Sequence, residues 1–218
     1  MHHQKCKMKI KIIRAHNGDS FLLSFVDDEG VKRNILIDGG MPKTYYGSGK
    51  QGELYKTIEE IRAKKEQIDL LILTHIDGDH IGGLKKWFEK DRNACDIISK
   101  VWFNSGRSIA KYFGKQENNE LIEKLQIFKS LKTSVKQAIV FEDFIEKNKI
   151  WDRAIIKASS MSIQNGVEIT ILSPNDSSLE KLLKEYKKPK HDYRTSAKTK
   201  DWNTSIEELE FIKASSAS

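Results

Sequence analysis

The stretch that most constrains this chain is residues 69–83, Asp-Leu-Leu-Ile-Leu-Thr-His-Ile-Asp-Gly-Asp-His-Ile-Gly-Gly. Four consecutive apolar residues, 70–73, lie between polar neighbours, the pattern of a strand buried on both faces in a layered α/β architecture. The run ends on a polar, glycine-punctuated loop at 75–83, and residues 84–90 read as a helix. Within six residues of that loop fall four side chains able to bind a metal: His75, Asp77, Asp79 and His80. His75 and Asp77, two apart, can project to the same side of an extended loop, while Asp79 and His80 sit where the next helix begins. Gly78 permits the bend, and Gly82-Gly83 let the backbone pack closely. Two imidazoles and two carboxylates form a mixed nitrogen and oxygen donor set, suited to Zn²⁺, Mn²⁺ or Fe²⁺.

Around this loop the hydropathy pattern predicts a mixed α/β chain. Strands are expected at 7–13, 20–26 and 34–37, the last two joined through the turn residues Asp27, Asp28, Glu29 and Gly30. Leu54, Ile58 and Ile61 give helical spacing over 52–66. A strand is expected at 100–103. Helical periodicity runs from 117 to 149, divided by a capping box at Ser134 and Gln137. Strands are expected again at 155–158 and 167–172, with a stop and a new helix cap at 173–176. Residues 187–204 read as a basic loop and the rest of 187–218 as an irregular tail. With no internal repeat and no Pro- or Ser-rich linker, residues 1–218 read as one domain.

Composition narrows the class further. Of 218 residues, 38% are hydrophobic and 32% charged, enough apolar material for a packed core and against wholesale disorder. No apolar run approaches the roughly 20 residues that cross a bilayer, and no signal-peptide core follows Met1, so no membrane partner and a cytoplasmic location are expected. Cys6 and Cys95 are too few for a disulfide scaffold or a four-thiolate zinc site. The net charge of +7 is concentrated: residues 1–14 carry +5 and residues 181–200 carry +6, leaving about −4 for the remainder. Basic ends of this kind suit phosphates or nucleic acid, and equally a solvated lysine-rich surface.

The loop at 74–83 resembles the His-x-His-x-Asp-His signature of the metallo-β-lactamase superfamily, with Asp77 at the second histidine position. This His-x-Asp-x-Asp-His variant, followed by Ile-Gly-Gly, is similar to the hydrolase domain of ComEC-type competence proteins. Residues 16–23, His-Asn-Gly-Asp-Ser-Phe-Leu-Leu, resemble that group's Gly-Gln-Gly-Asp-Ser opening. Residues 35–40, Ile-Leu-Ile-Asp-Gly-Gly, match its Asp-Gly-Gly turn. The resemblance implies an αββα sandwich with one or two divalent ions, Zn or Mn, along one edge. His75 and Asp77 would bind one ion, Asp79 and His80 the other, with a metal-activated water attacking a phosphodiester or other ester-type bond and Asp79 as general base. Asp19 and Asp38 would orient the loops and ligating histidines from behind. An aspartate in place of a histidine makes the donor set harder, shifting preference towards Mn²⁺.

The family pattern continues with a polar Asn and Ser segment, a Gly-Asp and a final His-containing loop. Residues 201–206, Asp-Trp-Asn-Thr-Ser-Ile, resemble the first of these, but no Gly-Asp follows and no histidine comes after His191. The resemblance therefore implies a second sheet whose second half is incomplete and a site short of a bridging aspartate. Three readings are open: a truncated product, half of a split enzyme completed by a second chain, or a non-catalytic module that binds another chain or nucleic acid.

Overall fold

A computed structural model describes residues 8–115, 133–159, 161–164 and 167–187. Three antiparallel strands come first: β1 (Lys9–Ile12), β2 (Phe21–Val26) and β3 (Lys32–Ile37). The turn between β2 and β3 is organised by Asp27, whose carboxylate accepts from the backbone of Glu29 and Val31 and holds the Arg33 side chain at 2.7 Å. A short helix α1 (Pro42–Tyr45) and a small ladder of β4 (Tyr46–Gly47) and β5 (Lys50–Gln51) lead into α2 (Glu53–Ala63). Then come β6 (Leu70–Ile72), α3 (Gly78–Lys90), β7 (Val101–Trp102) and α4 (Gly106–Tyr112). The later elements are α5 (Thr133–Lys147), the hairpin β8 (Met161–Gln164) with β9 (Val167–Thr170), and α6 (Asp176–Lys187).

The central sheet has the order β1-β2-β3-β6-β7, antiparallel through β3 and parallel from β3 to β7. Because side chains alternate along a strand, each strand serves two cores. Leu22, Leu36, Leu71, Leu73, Val101 and Phe103 join the cluster that contains Leu54, Ile58 and Ile61 of α2, Leu84 and Trp87 of α3, and Phe141 and Ile145 of α5. The residues between them, Leu23, Phe25, Ile35, Ile37, Leu70, Ile72 and Trp102, face Val167 and Ile169 of β9 together with Ile156 and Ile171. Helices thus cover one face and a β-hairpin the other, a layered mixed α/β arrangement as expected.

The sequence expectations for 20–26, 34–37, 52–66, 69–74 and 167–172 hold within a few residues. Three do not. Residues 78–83 are the first turns of α3 rather than loop, because Gly82 and Gly83 serve close packing there. Residues 155–158 are irregular, with Asn104 bonding both the N–H and the C=O of Ile156. The short elements α1, β4, β5 and α4 were not foreseen; α4 is nucleated by a reciprocal Ser105–Ser108 capping box. Ser134 lies inside α5. Residues 117–132, the loop and tail beyond Lys187, Cys6, His191 and the segment 201–206 lie outside the described residues.

Candidate metal centre

The parallel strands deliver their C-terminal ends to one edge of the sheet, and the polar side chains gather there. Asp38 follows β3, Thr74 and His75 follow β6, and α3 opens with Asp79 and His80. Asp38 is 2% exposed and adopts a left-handed backbone conformation, φ 55°, which for a non-glycine residue costs of order 1 kcal/mol. Five hydrogen bonds offset that strain. Its N–H donates to the Ile72 carbonyl at 2.9 Å, and its own carbonyl accepts from Ser20 Oγ at 3.1 Å. The Thr74 N–H donates to Oδ1 at 2.8 Å, and the Thr74 hydroxyl to Oδ2 at 2.5 Å. His80 Nδ1 reaches the same Oδ2 at 2.9 Å.

This network decides how both histidines present themselves. Asp38 can only accept, so His80 carries its proton on Nδ1 and leaves the Nε2 lone pair facing outwards. The single hydroxyl hydrogen of Thr74 is committed to Asp38, so Thr74 Oγ1 accepts from His75 Nδ1, 3.1 Å away. His75 Nε2 is then likewise an open lone pair. One buried carboxylate, acting directly on His80 and through Thr74 on His75, fixes two tautomers. The two rings lie 3.7 Å apart between centroids. His75 Nε2 stands 3.6 Å from Asp77 Oδ2, and His80 Nε2 stands 3.9 Å from Asp79 Oδ2. Two donors each about 2.1 Å from a common cation lie about 3–4 Å apart, so each pair has the spacing of a half-site. His75, Asp77 and Asp79 are open to solvent while His80 is nearly enclosed.

One donor atom each from Asp38, His75 and His80 also falls within 4.8 Å of the others. Asp38 already accepts three hydrogen bonds on its two carboxylate oxygens. The mixed nitrogen and oxygen donor set fits a divalent cation. Asp19 is exposed on the loop between β1 and β2. Its neighbour Gly18 lies flat on α3: a Cβ added there would sit 1.8 Å from the Asp79 carbonyl oxygen. Gly83 is as tightly placed, its missing Cβ 1.9 Å from the Gly39 carbonyl oxygen, while its N–H bonds the Gly40 carbonyl at 2.8 Å. Thr74 and Ser20 escaped the sequence reading. Thr74 had a usable signal, a hydroxyl residue at the strand end beside the first histidine.

The sequence profile of the metallo-beta-lactamase superfamily matches residues 15–138. That is more than half of the chain and includes every residue of this centre, and the protein belongs to that superfamily. It is 29% identical over 128 residues to the exodeoxyribonuclease WalJ of Streptococcus pneumoniae serotype 2, strain D39 / NCTC 7466. It is equally similar to the WalJ of strain ATCC BAA-255 / R6. The match covers 59% of this chain and 40% of each relative, so the chain spans less than half the length of these curated relatives. No helix among the described residues is long and apolar enough to cross a membrane.

Proposed function

We propose that this protein hydrolyses phosphodiester bonds in nucleic acid. Its divalent ions, zinc or manganese, would be held by His75 with Asp77 and by Asp79 with His80. The observation that carries this reading is the pair of histidines whose Nε2 lone pairs are both freed by Asp38 beside two solvent-facing carboxylates. A divalent cation, when bound, supplies Lewis-acid polarisation of the scissile group and lowers the pKa of attacking water. The chain supplies the rest. Asp79 accepts the proton from water, His80 is kept in the tautomer that leaves Nε2 unprotonated, and Asp38 holds both histidines from behind. The aspartate at position 77 hardens the donor set towards oxygen-loving ions and supports placing the chain on the ComEC-like branch. The exodeoxyribonuclease relatives support a nucleic-acid substrate, as do the basic segments.

Plasma mass spectrometry on the purified chain, beside a His75→Ala, Asp79→Ala double variant, tests this reading. One or two ions per chain, lost in the variant, with cleavage of labelled DNA in Mn²⁺ or Zn²⁺, are expected. Near-zero metal in both proteins would overturn it. DNA binding without turnover by the loaded protein would favour the non-catalytic binding module instead.

A further inference from the structure

Beside the metal centre two neighbouring segments carry three basic side chains. Arg14 and His16 are exposed on the loop after β1, on either side of buried Ala15. Ala15 is pinned against the start of α1: a Cβ on Gly40 would lie 2.7 Å from the Ala15 Cβ, and Thr44 Oγ1 donates to the Ala15 carbonyl at 3.2 Å. Lys43, exposed, directly precedes Thr44. Slight desolvation, and then the charges of Lys43 and Arg14, lower the His16 pKa from the ordinary 6.5. Both segments rest on the start of α3. Gly18, two residues past His16, touches the Asp79 backbone, and Pro42, just before Lys43, touches Gly82.

The acids around this cluster leave it unneutralised. Lys11, Lys32 and Lys56 are paired with Glu60, Glu66 and Glu53 at 3.0, 2.9 and 2.6 Å. Among the described residues no carboxylate lies within ion-pair distance of Arg14 or Lys43. Glu53 feels the Arg14 charge but is bonded to Lys56. Asp19 is exposed on the same loop, and Asp79 lies beneath that loop at the start of α3.

We infer that Arg14, His16 and Lys43 form a phosphate-gripping rim that holds the backbone of single-stranded DNA next to the metal centre. This rests on the phosphodiesterase reading and adds to it the surface that positions the strand. Arg14 and Lys43 neutralise phosphates flanking the bond to be cut, and the His16 imidazole N–H donates to one of their oxygens. The rim acts without metal, so binding and cleavage can be read separately.

The test is fluorescence anisotropy of a labelled oligothymidylate with the full chain in EDTA, across a salt series. Each single-strand phosphate contact contributes about 0.7 to the slope of log K against log salt. Arg14→Gln with Lys43→Gln should lower that slope by about 1.4 and weaken low-salt binding by at least about tenfold. The control pair Lys64→Gln and Lys111→Gln, at the C-terminal ends of α2 and α4, should leave both unchanged. An unchanged slope in the rim variant, an equal fall in the control, or no binding by the unaltered chain overturns the rim. Loss of slope without any metal-dependent cleavage keeps the rim and removes the hydrolase reading. Cleavage with an unchanged slope does the reverse.

Discussion

The two faces of the central sheet use alternate residues of the same strands, yet they are closed in different ways. On one face α2, α3 and α5 bury Leu36, Leu71 and Val101 to 1% exposure or less, around a fully buried Trp87. Trp87 is locked by an indole N–H to Asp91, which also receives Arg62. The opposite face has a smaller core of Phe25, Ile35, Leu70 and Trp102, and the β9 residues against it, Val167 and Ile169, stay half-buried. The candidate ligands Asp79 and His80 belong to α3, on the helix-covered side. Placing a metal centre is a matter of rigid backbone, and that is supplied where burial is most complete.

The largest test of this contrast is Trp87→Ala. It should remove about 3–5 kcal/mol of stability and, by loosening α3, abolish cation binding, seen together in urea denaturation and isothermal titration. Full cation affinity in this variant would break the link between helix packing and site. Asp38→Asn comes next. Its single amide oxygen cannot serve the Thr74 N–H, the Thr74 hydroxyl and His80 together, since the amide NH2 is itself a donor, so cation affinity should fall about 10–100-fold with the far-ultraviolet circular dichroism unchanged.

Ile169→Ala on the hairpin face should cost only about 1 kcal/mol, since the side chain is half-buried, and should leave cation affinity as it was. A loss as large as that of Trp87→Ala would show that the two faces are equally important. The smallest effect lies on the flank where α4 meets α5. Burial raises the Glu142 pKa above the ordinary 4.5, with Arg107 opposing in part. Its folded form therefore holds a proton more tightly than the unfolded chain. That contribution to stability is present below pH 4.5 and is lost as pH rises through the folded value. Glu142→Gln should accordingly gain stability relative to the unaltered chain as pH rises from about 4 to 7, read from denaturant midpoints; a flat difference would contradict the assignment.

The candidate ligand loop and the strands that deliver it were legible because their signals are local. The run at 70–73 needs no partner to be read as a buried strand, and His75, Asp77, Asp79 and His80 are neighbours in the chain. What stayed hidden depends on distant residues. Gly82 and Gly83 look like loop formers, but they are helical here because Pro42 and Gly39 press against them. Asp38 could be suspected of orienting a histidine. That it reaches His80 directly and His75 through Thr74 becomes visible only when β3 and β6 lie side by side. Arg14 and Lys43, 29 residues apart, gave no hint of lying on neighbouring segments.

The contacts of Gly18 with Asp79 and of Gly83 with Gly39 have a consequence for how this protein can vary. Where main chain meets main chain there is no side chain to re-pack, and an added methyl has nowhere to go. Core positions such as Leu71 or Ile58 can exchange one hydrocarbon shape for another, with the neighbours absorbing the change. At the glycines a single hydrogen atom is the whole permitted side chain. Over time the interior can therefore drift in composition, while three short stretches of backbone, far apart in sequence, must keep their shape together or not at all.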